Sequence, residues 1–570
     1  MKKLILSIVA LTTFIYASSQ VVVGISPASV QQNFDFGVQA NAGGWPGQTD
    51  DGTWGFDGSG LNFNNPGDYI IDTLMLVEDG TVGTNPQGNP ISQEGCDSLI
   101  NDLTGKIAVI YRNTCYFSSK VFYAEQAGAV AVIIINREDE SALGLLANTD
   151  PINGPLGTDC NIPALIISSS AGQLLTDAMA TDPVVMFIGN KTGAFTNDIG
   201  SQKGFCMISR YGSIPQTMAN NGYTFDLGMT LYNEGTAANT ISAIATIDGP
   251  SGNIYTDSVY GISLNSGDTV NIFSGNTNSF AALSVSTWDI GEYTLTYSIN
   301  LTDSTDDFNF DNVFTSNFSV TNDVLSLARQ DSNTNMVLTN TYPYANTAVG
   351  TFATMRPCAM IQDVYPNTST GVEGMYFAAY SHKASGSLDG AYVQAEIVEW
   401  DDPWTAVNGA WANITFNVLS QVGYIDYIYD TSHVNGDVVY APFSSPVLLV
   451  DNQRYLVCLN TFSGTDSVSF GYDNGLDYNA NYAIYDKPIG ALNIDNTWYG
   501  GWNSADAATI GLKLAYNVGV IEDNTHSGVL YPNPANDLVN ISFSDLNNFN
   551  AEITIYDIMG KIIKSNTVNN

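Results

Sequence analysis

Beyond about residue 223 the chain carries almost no helical periodicity, and this constrains its fold more than any other feature. Strand-like runs at Tyr223 to Tyr232, Thr240 to Ile247 and Tyr293 to Asn300 are separated by turns at Gly249-Pro250-Ser251-Gly252 and Ser266-Gly267-Asp268. Regular turn spacing between short β-prone runs is the pattern of a β-sandwich, and an immunoglobulin-like module over 223–322 is expected. A longer all-β stretch follows over 335–515. There Val393, Ala395 and Ile397 alternate, and Ser445-Pro446-Val447-Leu448-Leu449 pairs naturally with Gln453-Arg454-Tyr455-Leu456-Val457. A jelly-roll-like sandwich fits that length. No repeat of about 20–50 residues is visible.

The 570 residues exceed one hydrophobic core, so several modules are required. Charged residues make up only 13% of the chain, which suits a secreted β-protein whose surface is wetted by Asn, Thr, Ser, Asp and Gly. The net charge of −39 would repel nucleic acid and anionic lipid, so neither is an expected partner. Met1-Lys2-Lys3, the apolar run Leu4 to Ile15 and the small residues Ala17 and Ser19 form a secretory signal peptide over 1–19, with the mature chain expected to begin at Gln20. No later run reaches the length of a transmembrane helix. Export makes disulfides the favoured state of Cys96, Cys115, Cys160, Cys206, Cys358 and Cys458, although the count alone selects no pairing.

Between about residues 68 and 182 strand and helix signals alternate. Tyr69 to Val77, Lys106 to Tyr111, Val130 to Ile135 and Pro163 to Ser168 read as strands, while Ser118 to Gln126 and Ala171 to Ala180 read as helices. Gly128 supplies the left-handed C-terminal cap of the first helix. This is an α+β unit. The run Gly105 to Phe117 (GKIAVIYRNTCYF), then Lys120, Ala124-Glu125-Gln126-Ala127-Gly128-Ala129 and Ile162-Pro163-Ala164 resembles the protease-associated (PA) domain, here over 20–200. The stretch Gly43 to Asn65 departs from that pattern as an enlarged loop. The resemblance implies a noncatalytic module that binds or gates, and a Cys96–Cys115 disulfide within it. Cys160–Cys206 and Cys358–Cys458 are the remaining expected pairs.

At the other end Leu530-Tyr531-Pro532-Asn533-Pro534 and Met559-Gly560-Lys561 resemble the C-terminal sorting domain of the Bacteroidetes type IX secretion system. The resemblance implies export to the cell surface through that machinery, with 530–570 as a partial β-sandwich lacking closing strands after Lys564. The segment Glu522 to Gly528 reads as a linker. The fold class is therefore mainly β and multidomain: an α+β PA domain, an immunoglobulin-like β-sandwich, a jelly-roll-like β-sandwich and a partial sorting domain.

Catalytic chemistry finds little footing. No HExxH pairs two imidazoles on one helix face, and His382, His433 and His526 are the three histidines of the chain. Neither His382 nor His433 accompanies a G-x-S-x-G elbow, so both read as loop residues, and Cys115 reads as a disulfide partner before a nucleophile. Carboxylate pairs of glycosidase type have no diagnostic value among 56 acidic residues. Two binding sets remain. Asp303, Asp306, Asp307 and Asp311 supply hard oxygen ligands for Ca²⁺, against the plainer reading of a solvated acidic loop. Trp498, Tyr499 and Trp502 supply flat faces for a glycan, against the plainer reading of core aromatics. The expected function is noncatalytic binding of a protein or glycan at the cell surface. The competing reading is an accessory of an extracellular peptidase or glycoside hydrolase, or such an enzyme with an unrecognised site.

Overall fold

The computed structural model describes residues 20–38, 63, 65–139, 145, 147–148, 150–276, 278–341, 355–361, 370–381, 386–400, 420–450, 453–461, 468–485, 490–494, 497–500, 506–516, 528–531, 540–543, 550–556 and 562–569. The signal segment, residues 43–62, His382, Trp502, residues 532–534 and His526 lie outside the described residues. Among the described residues no helix is long and apolar enough to cross a membrane.

The first unit contains β1 (Gln20–Ser26), β2 (Gly37–Val38), β3 (Tyr69–Leu76), β4 (Ile107–Tyr111), α1 (Phe117–Gln126), β5 (Ala131–Ile135), β6 (Ala164–Ile167), α2 (Ser169–Met179) and β7 (Val185–Asn190). They form a seven-stranded sheet in the order β1-β7-β3-β4-β5-β6-β2. The central pairings β3·β4, β4·β5 and β5·β6 are parallel, and the flanking pairs are antiparallel. Parallel strands must be covered on both faces, which explains why Ile107 to Ile110 and Ala131 to Ile135 are unbroken apolar runs with every residue buried. Gly128, at φ +96°, closes the α1 end, and a Cβ there would fall 2.9 Å from the Cα of Thr104. On the other face α2 approaches so closely that a Cβ at Gly172 would lie 2.2 Å from Ile135 Cγ2.

The rest is β. Its strands are β8 (Ile199–Gly200), β9 (Ser213–Pro215), β10 (Thr230–Asn233), β11 (Asn239–Gly249), β12 (Gly252–Leu264), β13 (Thr269–Asn271), β14 (Gly291–Leu301), β15 (Val313–Thr321) and β16 (Val324–Ser326). Then come β17 (Met355–Ile361), β18 (Thr370–Ser381), β19 (Tyr392–Trp400), β20 (Gln421–Ile428), β21 (Val438–Leu449), β22 (Arg454–Asn460), β23 (Val468–Phe470), β24 (Tyr472–Asp473), β25 (Gly490–Ile494), β26 (Thr497–Gly500), β27 (Ala507–Ala508) and β28 (Ile510–Tyr516). A ten-stranded sheet runs β12-β11-β14-β15-β9-β16-β28-β18-β21, with β23 also on β18, and a six-stranded sheet runs β20-β19-β22-β17-β25-β26. The short strands β9 and β16 join the two halves: β15 lies parallel to β9, and β16 pairs antiparallel with β28. One buried cluster accordingly extends from Ile199 to Leu514. Arg329 clamps the same seam, its Nε and Nη2 donating to Asp473 Oδ2 and Oδ1 at 2.8 and 2.7 Å.

The tail contributes β29 (Gly528–Tyr531) with β30 (Asn540–Phe543), and β31 (Asn550–Tyr556) with β32 (Ile562–Asn569). The last described strand, β32, runs through Lys564 to Asn569, and its register matches Asn550 to Asn569. The polar Ser565-Asn566-Thr567 run concealed it, since a strand paired on one side needs no apolar alternation.

Candidate functional site

Parallel sheets place ligand contacts beyond the carboxyl ends of their strands. In the first unit that edge is formed by the segments after β3 and β4, joined by a disulfide between Cys96 and Cys115 with Cα atoms 5.6 Å apart. Both cysteines are half-buried. Gly95, at φ +61°, brings the chain against Ile110 and so delivers Cys96 to the turn ahead of α1. Asp79 fixes the loop by accepting from the Cys96 and Thr81 backbone N–H groups at 3.2 and 2.9 Å.

Behind the disulfide lies Lys120, fully buried on α1. Its Nζ donates to the carbonyls of Glu94 at 2.5 Å and Tyr111 at 3.2 Å and sits 3.8 Å from Cys96 Sγ. Burial pushes this amine down to about 8, with Glu94 and Asp79 pulling the other way. Glu94 is also fully buried. Its Oε2 accepts from the Thr114 N–H at 3.2 Å, whereas Oε1 has no hydrogen-bond partner. On the open side Arg112 donates to Asn136 Oδ1 at 2.7 Å and lies over the Phe117 ring at 5.5 Å. Around this edge Val82, Ile100, Tyr116 and Ile152 are solvent-exposed.

A second charged centre sits where the chain leaves β7. Lys191 Nζ lies 2.8 Å from Asp198, 2.8 Å from Glu234 and 2.9 Å from Asp311, and faces the Phe308 ring at 4.5 Å. Three of the four predicted calcium ligands serve this crossing instead. Asp311 pairs with Lys191, Asp306 accepts from the Ile199 N–H at 3.2 Å, and Asp307 accepts from the Asn197 N–H at 2.9 Å. Asp303 accepts from the Thr240 N–H at 3.0 Å. The four carboxylates thus point to four partners and do not build one oxygen cage. Among the described residues no group of three acidic, His or Cys side chains is placed to hold a metal ion. Lys191, Asp198 and Glu234 were missed by sequence reasoning because nothing local distinguishes them: Glu234 is 43 positions from Lys191 and meets it only through the tertiary fold.

Of the other expected residues, the backbones of Trp498 and Tyr499 lie in β26, at the edge of the six-stranded sheet and opposite Asn493 and Leu492. The Cys358–Cys458 bridge is present between β17 and β22. The expected Cys160–Cys206 bridge is corrected: both are buried free thiols, each packed in its own part of the fold. Cys160 Sγ lies against the Ser118 carbonyl at 3.3 Å and Cys206 Sγ against the Gln202 carbonyl at 3.5 Å, and burial pushes both thiols upward, Cys206 to about 12. Such thiols are unreactive. His433 contacts Asp430 through Nδ1 at 2.9 Å and the Tyr427 hydroxyl through Nε2 at 3.2 Å, closing a surface turn. An interior cavity of about 10 Å³ lined by Tyr211, Leu325, Val457 and Leu512 has room for one water at most.

Comparison with known proteins identifies two segments. Residues 73–175 match the PA domain family, and residues 529–570 match the secretion system C-terminal sorting domain, the type IX export tail. Signal peptide peptidase-like 3 of Arabidopsis thaliana is 36% identical over 87 residues, which is 15% of this chain and 15% of that protein. ER degradation-enhancing alpha-mannosidase-like protein 3 of Xenopus laevis is 30% identical over 107 residues, 18% of this chain and 11% of that protein. The chain therefore spans well under a fifth of the length of either relative. Among solved structures, an aminopeptidase from Aneurinibacillus sp. strain AM-1 aligns at 25% identity over 23% of this chain and 26% of that one, with a TM-score of 0.16. The sorting tail assigns the protein to secretion or cell-surface attachment and to handling by the secretion machinery.

Proposed function

We propose that this is a noncatalytic surface protein in which the PA domain and the β-sandwich modules bind a protein or glycan outside the cell. The observation that carries this reading is the joining, in one chain, of a PA domain at 73–175 to a sorting tail at 529–570. The crossing at Lys191 supports it, because a buried ion cluster between β7 and the sandwich presents the PA edge from a fixed base. In this reading the exposed Tyr116, Ile100 and Val82 offer apolar contacts to a protein partner, and Trp498, Tyr499 and Trp502 are the residues assigned to meet a sugar. The module limits in this reading are signal peptide 1–19, PA domain 20–200, sandwich stretches 223–322 and 335–515 that share the ten-stranded sheet, and tail 530–570.

A second reading is an accessory subunit of an extracellular peptidase or glycoside hydrolase. It draws on relatives named as signal peptide peptidase-like and alpha-mannosidase-like proteins that share a stretch of this sequence. Purified protein should be assayed with generic peptidase and glycosidase substrates beside binding measurements on immobilised peptides and polysaccharides. Saturable binding without turnover supports the first reading. Turnover that survives further purification, and that a single substitution in this chain abolishes, would overturn it.

A further inference from the structure

The Cys96–Cys115 bridge sits among buried charges that are poorly matched in the oxidised state. Lys120 is fully buried, yet no carboxylate oxygen of a described residue forms an ion pair with its Nζ, whose contacts are two carbonyls and Cys96 Sγ. Glu94 is fully buried, and its Oε1 is unpartnered while Oε2 stands 3.9 Å from the same sulfur. Burying an ammonium with no carboxylate in contact is costly even though Glu94 and Asp79 attract it from farther off, as is leaving a carboxylate oxygen without a donor. Reduction supplies what is missing in either protonation state: a Cys96 thiolate is the counter-ion for Lys120, and a Cys96 thiol donates to Glu94. The other charged groups near the sulfur are Asp79, which holds the Cys96 N–H at 3.2 Å, and the exposed Asp97. Cys115 occupies the turn just before the α1 N-cap Tyr116, where unpaired helix N–H groups favour a thiolate as well.

We propose that Cys96–Cys115 is a reversible thiol–disulfide exchange site, with a dithiol as its reaction partner and with Lys120 and Glu94 as positioning residues for the sulfur of Cys96. A thiolate of the dithiol attacks Cys115 Sγ, and the S–S bond breaks. Cys96 leaves with the electron pair as a thiolate beside Lys120, the better leaving group being the one whose thiolate is stabilised. The second thiolate of the dithiol then attacks its own sulfur in the mixed disulfide and releases Cys115. Two electrons and two protons pass from the dithiol to the protein, and the dithiol becomes a disulfide. The change frees the segment after β3 from the α1 turn and so alters the edge that carries Ile100 and Tyr116.

The test equilibrates the full chain with graded ratios of reduced to oxidised dithiothreitol, traps thiols by alkylation and reads each cysteine by mass spectrometry. The Cys358–Cys458 bridge is an internal reference. Lys120→Met should shift the Cys96–Cys115 equilibrium about tenfold toward the disulfide, the equivalent of one pKa unit, and leave the reference unmoved. In reduced wild-type protein, the pH midpoint for Cys96 alkylation should lie below the ordinary thiol value of about 8.5. That second measurement stands if Lys120→Met fails to fold. A Cys96 midpoint at or above the ordinary value, or a folded Lys120→Met protein with an unchanged equilibrium, overturns the proposal.

Discussion

Lys191 Nζ lies 2.8 and 2.9 Å from the two carboxylate oxygens of Asp198, with side chains 1% and 0% exposed, at the point where the chain passes from the seven-stranded sheet to the sandwich. Glu234 and Asp311 complete the cluster, so two buried carboxylates and a third that is largely buried depend on one ammonium. Removing one member of a buried ion pair strands the others. Lys191→Met should therefore lower the unfolding free energy by about 3–5 kcal/mol, read as a drop in the denaturant midpoint. A loss within the scatter of ordinary surface substitutions would show that the cluster does not hold the junction.

The same excess of carboxylates sets a pH dependence. Burial pushes Asp198 up to about 8 and Asp311 up to about 6, with Lys191 pulling each back. A carboxyl that keeps its proton better when folded contributes stability that is complete below its unfolded pKa of about 4 and is lost as pH rises through the folded value. This contribution should fall from about pH 4 to about pH 8. Lys120, pushed down to about 8, acts in the opposite sense as pH rises through and beyond that value, so the comparison must be internal. The thermal midpoint of Asp198→Asn should decline less steeply over this window than that of wild type. Equal slopes would contradict the assignment.

Cys358 and Cys458 face each other on β17 and β22 and close a loop of 100 residues. Replacing both with Ala should cost about 2–5 kcal/mol, since a cross-link over so long a loop strongly restricts the unfolded chain. Unfolding of the double variant in guanidinium checks this, and an unchanged midpoint would refute it.

Gly172 separates two opposed effects. Alanine is favoured over glycine inside a helix by about 1 kcal/mol, but its Cβ would stand 2.2 Å from Ile135 Cγ2. Overpacking of this kind costs about 1–3 kcal/mol, so Gly172→Ala should destabilise wild type, and it should cost less when measured in an Ile135→Ala background, where the clashing methyl is gone. A stabilised single variant would mean that α2 can move away from β5.

The parts of this architecture legible in the sequence are those governed by local pattern. The apolar run Lys106 to Tyr111 became β4, Ser118 to Gln126 became α1 within one residue, and Gly128 took the left-handed cap. Tyr223 to Tyr232 shows where pattern misleads. Tyr223, Phe225 and Leu227 are buried in alternation, as in a strand, yet only Thr230–Asn233 is in a ladder, because alternation reports burial and not pairing. Pairings such as Val324 with Lys513 were beyond reach, since strands nearly two hundred residues apart leave no joint signature. The site divides the same way. The Cys96–Cys115 bridge followed from the PA resemblance, whereas the role of Asp311 did not, because an acidic loop reads alike whether it meets calcium or a buried lysine.

The most direct test of secretion through the tail is deletion of residues 529–570 in the native host, followed by cell fractionation. Wild type should reach the cell surface or medium, while the deleted protein should stay in the periplasm with its upstream sheets folded, as judged by circular dichroism and resistance to proteolysis. A deleted protein that still reaches the surface, or one whose upstream sheets melt when the tail is removed, would contradict the assignment of 529–570 as a separable export signal.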